Sequence, residues 1–179
     1  MNDRDLDLAT RLEGRAGTTA ESVFEAHMAE RGYVLGEHLW RLGFDRVRTA
    51  DGVVATLPRW LRHTPDYVQV GGHLWEVQGT GAERALLVKA EKLDALHRHW
   101  HLSLGGTRQL RWALYAQSEE QLIVATHSRV VAACHHPNTE YREQLLDHKA
   151  GWRIPIEVLL ERTVAHPFRA EKAAMEAAA

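Results

Sequence analysis

The chain has 179 residues, of which 45% are hydrophobic and 26% are charged, as expected for one globular domain with its own core. With 22 Lys and Arg against 24 Asp and Glu, the formal charge is −2, which excludes a generally basic nucleic-acid-binding coat but not a local basic face. The single Cys134 excludes an internal disulfide, and no apolar run approaches the roughly 20 residues that cross a bilayer. We therefore expect a cytoplasmic protein with no membrane partner.

The first elements expected are a leader and a helix. Residues 1–17 are charged and resemble a flexible leader, and Thr18 or Thr19 can cap a helix that runs to about Glu30. Gly32 is placed to end this helix.

Strands are predicted next, followed by a helix and a second hairpin. Gly71-Gly72 favours a hairpin turn between two short strands, and an apolar stripe predicts a helix over 86–101. The predicted strands are 44–49, 53–57, 67–70, 73–77, 112–116 and 121–126, and further helices are expected near 139–149 and 155–164.

Two carboxylates belong to the central hairpin. Asp66 opens one of its strands and Glu76 lies near the end of the next, so both can meet at one end of the sheet. With the backbone carbonyl of Val77 they would offer hard oxygen ligands for Mg²⁺, or for Mn²⁺ as its substitute. Gln78 shares the face of Glu76 by strand alternation. The alternative is structural, with Asp66 as a turn residue and Glu76 as a solvated side chain of an edge strand.

The segment TPDYVQVGGHLWEVQGTG resembles the PD-(D/E)XK nuclease motif, in which Pro-Asp and a short hairpin are followed by Glu-X-Lys. GTTAESVFEAHMAERGY resembles the first helix of archaeal-type Holliday junction resolvases. By this resemblance Glu21 is the helix carboxylate of the site, and Glu25, one turn later, is the alternative. The resemblance covers about residues 15–126 and implies catalysis by Glu21, Asp66, Glu76 and Gln78, with metal held by Asp66, Glu76, Val77 and Glu21.

The sequence departs from the family motif at one position. Gln78 stands where the family has lysine, and an amide supplies no positive charge. Lys89 and Lys92, in the next predicted helix, are candidates to restore the charge. Nucleic-acid contacts are expected from these two lysines and from Arg59, Trp60 and Arg62, just before the motif. The alternative for the last three is an ordinary solvated loop with Trp60 in the core.

The histidines of HRHWH suggest two other roles. His97 and His101 share a helix face and could hold zinc, although no Cys or acidic third ligand follows at a spacing typical of zinc sites. The alternative is a surface that contacts phosphate or a partner, together with Arg98, Arg108 and Arg111.

The expected fold is α/β with a restriction-endonuclease-like αβββαβ core, a mixed central sheet flanked by helices, and extra C-terminal helices. The leader (1–17) precedes a nuclease core (18–130), and residues 131–179 form a helical extension of the same domain. The expected function is a Mg²⁺-dependent DNA endonuclease acting as a homodimer. The alternative is an inactive module of the same fold that binds nucleic acid or protein.

Overall fold

The computed structural model describes residues 16–42, 63–80, 84–102, 110–146, 148–161 and 164–167. Most of the leader, the strands predicted over 44–49 and 53–57, and the candidate nucleic-acid-binding residues Arg59, Trp60 and Arg62 lie outside these ranges. So does the Ala-rich end of the chain. Within the described ranges, no helix is both long and apolar enough to cross a membrane.

Among the described residues, the main sheet is mixed and has six strands. It contains β1 (Leu39–Arg41), β2 (Tyr67–Gln69), β3 (His73–Gly79), β5 (Leu110–Ala116), β6 (Gln121–Thr126) and β9 (Val164–Pro167), in that spatial order. Strands β3 and β5 run parallel, and every other pair is antiparallel. The predicted hairpins β2–β3 and β5–β6 are confirmed. Gly71 and Gly72 both have positive φ between β2 and β3, a conformation that glycine adopts without steric cost.

A second, antiparallel sheet has the order β4 (Ala85–Lys89), β8 (Lys149–Pro155) and β7 (Glu140–Leu146). The helix predicted over 86–101 is therefore wrong in its first turn. Leu86 and Val88 are buried while Leu87 is less so, which is the alternation of a strand paired with β8. The helix proper is α2 (Ala90–Ala95), and it continues as a π-helix over Leu96–His101.

The C-terminal region is less helical than expected. The helix predicted near 139–149 is wrong, because Glu140–Leu146 pairs with β8 as a strand. A helix is present within the predicted 155–164 range, as α4 (Ile156–Leu160), directly after Pro155. The unpredicted α3 (His127–Cys134) begins with an N-cap, since Thr126 accepts a hydrogen bond from the Arg129 backbone N–H.

The first helix covers one face of the main sheet, and the second sheet with the other three described helices covers the opposite face. The first helix, α1 (Ala16–Glu30), begins slightly before the predicted Thr18 or Thr19 and includes the last two residues of the expected leader. It buries Phe24 and Met28 against Tyr67, Trp75 and Val77. The other face forms a larger core with α2, the second sheet, α3 and α4, around Leu96, Trp112 and Ile154. The α/β class and the mixed sheet flanked by helices are thus as expected.

Candidate functional site

The side chain of Glu76 lies on the face of the main sheet opposite α1. Its neighbours Trp75 and Val77 pack against α1, so strand alternation turns Glu76 towards α2 and the second sheet. Strand β3 is a central strand between β2 and β5, and Glu76 is 0% exposed. The reading of Glu76 as a solvated edge residue is therefore wrong. Complete burial of a carboxylate is costly unless a countercharge or ligand compensates for it.

Asp66 and Glu76 lie close together at the start of β2, which Asp66 directly precedes. One carboxylate oxygen of Asp66, Oδ2, accepts the backbone N–H of Val77 at 2.7 Å, which ties the residue before β2 to the strand that carries Glu76. The two carboxyl groups are close enough to share a hydrogen bond when one is protonated. Burial first, and then the charge of Asp66, raise the pKa of Glu76 to about 8, against the opposing effect of Lys92.

The carbonyl of Val77 lies on the same side of β3 as Asp66. In an extended strand, the N–H and C=O of one residue point to the same side. Since the Val77 N–H donates to Asp66, its carbonyl also points away from β5, beyond the last paired residue of β2. The Asp66 carboxylate and the Val77 carbonyl thus lie on the same side of β3.

Lys92 of α2 supplies the countercharge. Its ammonium group forms an ion pair with Oε1 of Glu76, and its side chain is 30% exposed. Within the described residues, no backbone N–H and no hydroxyl donates a hydrogen bond to either carboxylate oxygen of Glu76. Of the two lysines proposed to replace the family's charge, Lys92 is in the site, whereas Lys89 ends β4 and precedes α2.

Gln78 connects β3 to the second sheet. Its amide Nε2 donates to the backbone carbonyl of Leu87 in β4 at 2.8 Å. Because β4 leads directly into α2, this hydrogen bond helps to position the helix that carries Lys92.

Glu21 does not join the pair in a three-ligand group. Within the described residues, no set of three or more His, Cys, Asp or Glu side chains is arranged to hold a metal ion. Glu21 lies on α1, which packs on the other face of the sheet. The hydrogen bond with Glu25 is the main cause that raises the pKa of Arg41, and burial is the main cause that raises the pKa of Tyr67; the charge of Glu21 adds a smaller contribution to both. Glu25, the alternative carboxylate, accepts hydrogen bonds from Arg41 Nε at 2.7 Å and from the Tyr67 hydroxyl at 2.6 Å.

Three histidines form a cluster that was not predicted from the sequence. The rings of His97, His101 and His127 of α3 lie against one another with centroids 4.9–5.5 Å apart, and both His101 and His127 are buried. The prediction that His101 belongs to a phosphate-contacting surface is therefore wrong. The Trp112 indole N–H donates to Nδ1 of His127 at 3.1 Å, which leaves the imidazole proton on Nε2 and removes His127 as a neutral metal ligand.

Comparison with known proteins found no match: no family model, curated protein or solved structure shows significant similarity to the chain.

Proposed function

We propose that the chain is a metal-dependent nuclease that hydrolyses phosphodiester bonds in DNA, with its centre at Asp66, Glu76 and Lys92. The observation that supports this most directly is the buried carboxylate of Glu76, which faces a second carboxylate and pairs with a lysine. A structural role alone gives no reason to place the buried carboxylate of Glu76 against the partly exposed carboxylate of Asp66, because their charges repel.

The donor groups fit Mg²⁺ or Mn²⁺. Asp66, Glu76 and the Val77 carbonyl offer hard oxygen atoms, and Mg²⁺ in proteins commonly takes one or two carboxylates and completes its shell with water and substrate phosphate. A divalent cation also relieves the repulsion that raises the pKa of Glu76. When bound, such an ion would lower the pKa of water and neutralise charge on the scissile phosphate.

Lys92 takes the role of the missing lysine. It holds Glu76 towards the ionised form, since its charge lowers the pKa of that carboxyl. Its partial exposure leaves the ammonium accessible to a phosphate oxygen that gains charge during hydrolysis. Gln78 then acts as a positioning residue, because its hydrogen bond to β4 helps to place the helix that carries Lys92. Glu21 is not part of the Asp66–Glu76 pair.

A second candidate function is a binding module that has lost catalysis. The observation that favours it is the same ion pair, because Lys92 neutralises Glu76 without any metal and the carboxylate is wholly enclosed. The hydrogen bond from Gln78 to Leu87 would then serve stability alone. Such a module would still bind nucleic acid or protein.

A cleavage panel separates the two functions. Branched, flapped, duplex and single-stranded DNA, together with RNA, are incubated with Mg²⁺, with Mn²⁺ and with EDTA. The nuclease is expected to cut at least one DNA form with either metal and none with EDTA. Asp66→Asn should abolish that cutting, whereas Asp94→Asn, which removes an exposed carboxylate of α2, should not. No metal-dependent cutting of any substrate would overturn the nuclease proposal.

The homodimer remains a prediction from the resemblance, since two strands are cut in duplex and junction substrates. Sedimentation of the full chain with and without DNA measures it. A monomer in both conditions would contradict it without affecting the assignment of the site.

A further inference from the structure

A cavity of about 200 Å³ opens on the α1 face of the main sheet. It lies on the opposite face from the Glu76 carboxylate, because its wall includes Trp75, which alternates with Glu76 along β3. Two arginines, Arg31 and Arg111, contribute to its walls, and no Asp or Glu is among the described residues that line it. The permanently charged side chains among these lining residues are thus both cationic.

Arg111 is held over an aromatic ring. Its guanidinium carbon lies 5.5 Å from the centre of the Trp75 ring, within the range of a cation–π contact. The Trp75 indole N–H donates to Oε1 of Gln69 at 2.9 Å, which fixes the plane of the ring. Within the described residues, no carboxylate forms an ion pair with Arg111, so this partly buried cation has a ring but no counterion.

Arg31 approaches from the end of α1. Its Nε donates to Nε2 of His27 at 2.9 Å, one helical turn earlier. An acceptor nitrogen carries no proton, so this contact requires neutral His27. The positive charge of the cavity thus comes from the two guanidinium groups, which carry planar sets of donors suited to oxyanions.

We propose that this cavity binds a phosphate group. Sites for drug-sized ligands enclose roughly 300–1,000 Å³, so the cavity suits a single phosphate or a small phosphomonoester. A phosphate is a better fit than a carboxylate because two guanidinium groups can share its several oxygens. The proposal does not depend on the nuclease site, since the two sites lie on opposite faces of the sheet.

Two sources could supply the phosphate: a free phosphomonoester, or the 5′-terminal phosphate of a nucleic-acid strand. Calorimetric titrations with inorganic phosphate and with glycerol phosphate test the first source. A 5′-phosphorylated oligonucleotide, compared with the same oligonucleotide lacking the phosphate, tests the second. All titrations are run in EDTA, which removes any contribution from a metal at Asp66 and Glu76.

Arg111→Met and Arg31→Met are each expected to weaken phosphate binding by about tenfold or more, the usual effect of losing a charge-assisted hydrogen bond. Arg98→Met is the matched control, because Arg98 is exposed and pairs with Asp94 away from the cavity. Arg111→Lys, which keeps the charge and most of the stem, should retain part of the affinity and covers the case in which Arg111→Met does not fold. Absence of binding to every phosphate probe, or an equal loss in Arg98→Met, would overturn the proposal.

Discussion

Lys92 of α2 forms an ion pair with the buried carboxylate of Glu76 of β3. The two residues belong to different elements, and the strand β4 lies between them in the chain. A positive charge thus reaches the carboxylate pair although the position two residues after Glu76 holds glutamine. This relationship makes Lys92 the residue whose replacement tests the site most directly.

Lys92→Met should reduce metal-dependent cleavage by about a hundredfold, the scale expected for a group that stabilises transition-state charge. It should also raise the pKa of Glu76 further, because the favourable charge is lost. Steady-state cleavage rates and titration of the Glu76 carboxyl by NMR measure the two effects.

Lys149→Met is the matched control for Lys92→Met. Lys149 forms an ion pair with Glu91 of the same helix α2, but its partner is partly exposed rather than buried. Cleavage by Lys149→Met should stay near the wild-type rate. Equal losses in both variants would assign the effect of Lys92 to helix stability.

Metal affinity should rise with pH up to about 8, because a cation must displace the proton that Glu76 holds below that pKa. Each unit below the pKa should cost about tenfold in Mn²⁺ affinity. Asp66→Asn removes the repelling charge, so the Glu76 carboxyl should titrate at lower pH in this variant. Calorimetry with Mn²⁺ between about pH 6 and pH 9 measures the dependence for the wild type, and NMR follows the carboxyl in Asp66→Asn.

The same group links stability to pH. Because the pKa of Glu76 is raised in the folded protein, the folded state holds a proton that the unfolded chain releases above its ordinary pKa near 4.5. The contribution of this carboxyl to stability should therefore be present at low pH and decrease as pH rises towards about 8. A Mn²⁺ affinity that does not change between about pH 6 and pH 8 would contradict the raised pKa of Glu76. The expected pH dependence of metal affinity and that of stability both rest on this pKa.

Gln78→Ala should lower the free energy of unfolding by about 1 kcal/mol, because the Leu87 carbonyl loses its side-chain donor. Gln78→Lys should restore most of this loss, since an ammonium can donate to the same oxygen. Gln144→Ala, at an exposed position of β7, is the control and should have little effect. Urea unfolding measures all three, and a normal stability for Gln78→Ala would argue against its positioning role.

Glu21→Gln should leave Mn²⁺ affinity within about twofold of wild type, because Glu21 belongs to no three-ligand group with Asp66 and Glu76. Glu25→Gln should instead lower stability by about 1.5 kcal/mol, since Arg41 and the Tyr67 hydroxyl lose a charged acceptor. Calorimetry and chemical unfolding give the two quantities. A tenfold loss of Mn²⁺ affinity in Glu21→Gln would return Glu21 to the metal site.

His127 should make the protein sensitive to acid. Burial first, and then the charges of His101 and His97, lower its pKa to about 3. The unfolded chain therefore takes up a proton near the ordinary pKa of 6.5 that the folded protein accepts only near 3, so stability decreases as pH falls through this window.

His127→Gln should flatten this acid dependence, because glutamine does not titrate. His135→Gln removes an exposed histidine just after α3 and should leave the dependence unchanged. Thermal unfolding between about pH 4 and pH 7 compares them. An equal loss of stability at low pH in His127→Gln and in the wild type would contradict the expectation.

The chain itself was sufficient to predict those parts that depend on neighbouring residues. The first helix, the hairpin at Gly71-Gly72 and the β5–β6 hairpin were all predicted, because capping, glycine conformation and residue alternation are local properties. The closeness of Asp66 and Glu76 follows from the same hairpin, since its register places both at one end.

Only the tertiary structure decided what surrounds this pair. Leu86 and Val88 fit a helix stripe and a strand alternation equally well, and pairing with β8 selects the strand. Glu140–Leu146 has a helix-like composition, but strand pairing with β8 outweighs that local preference. The burial of Glu76, its pairing with Lys92 and the stacking of His127 on His97 join elements distant in sequence, and spacing along the chain does not encode such contacts.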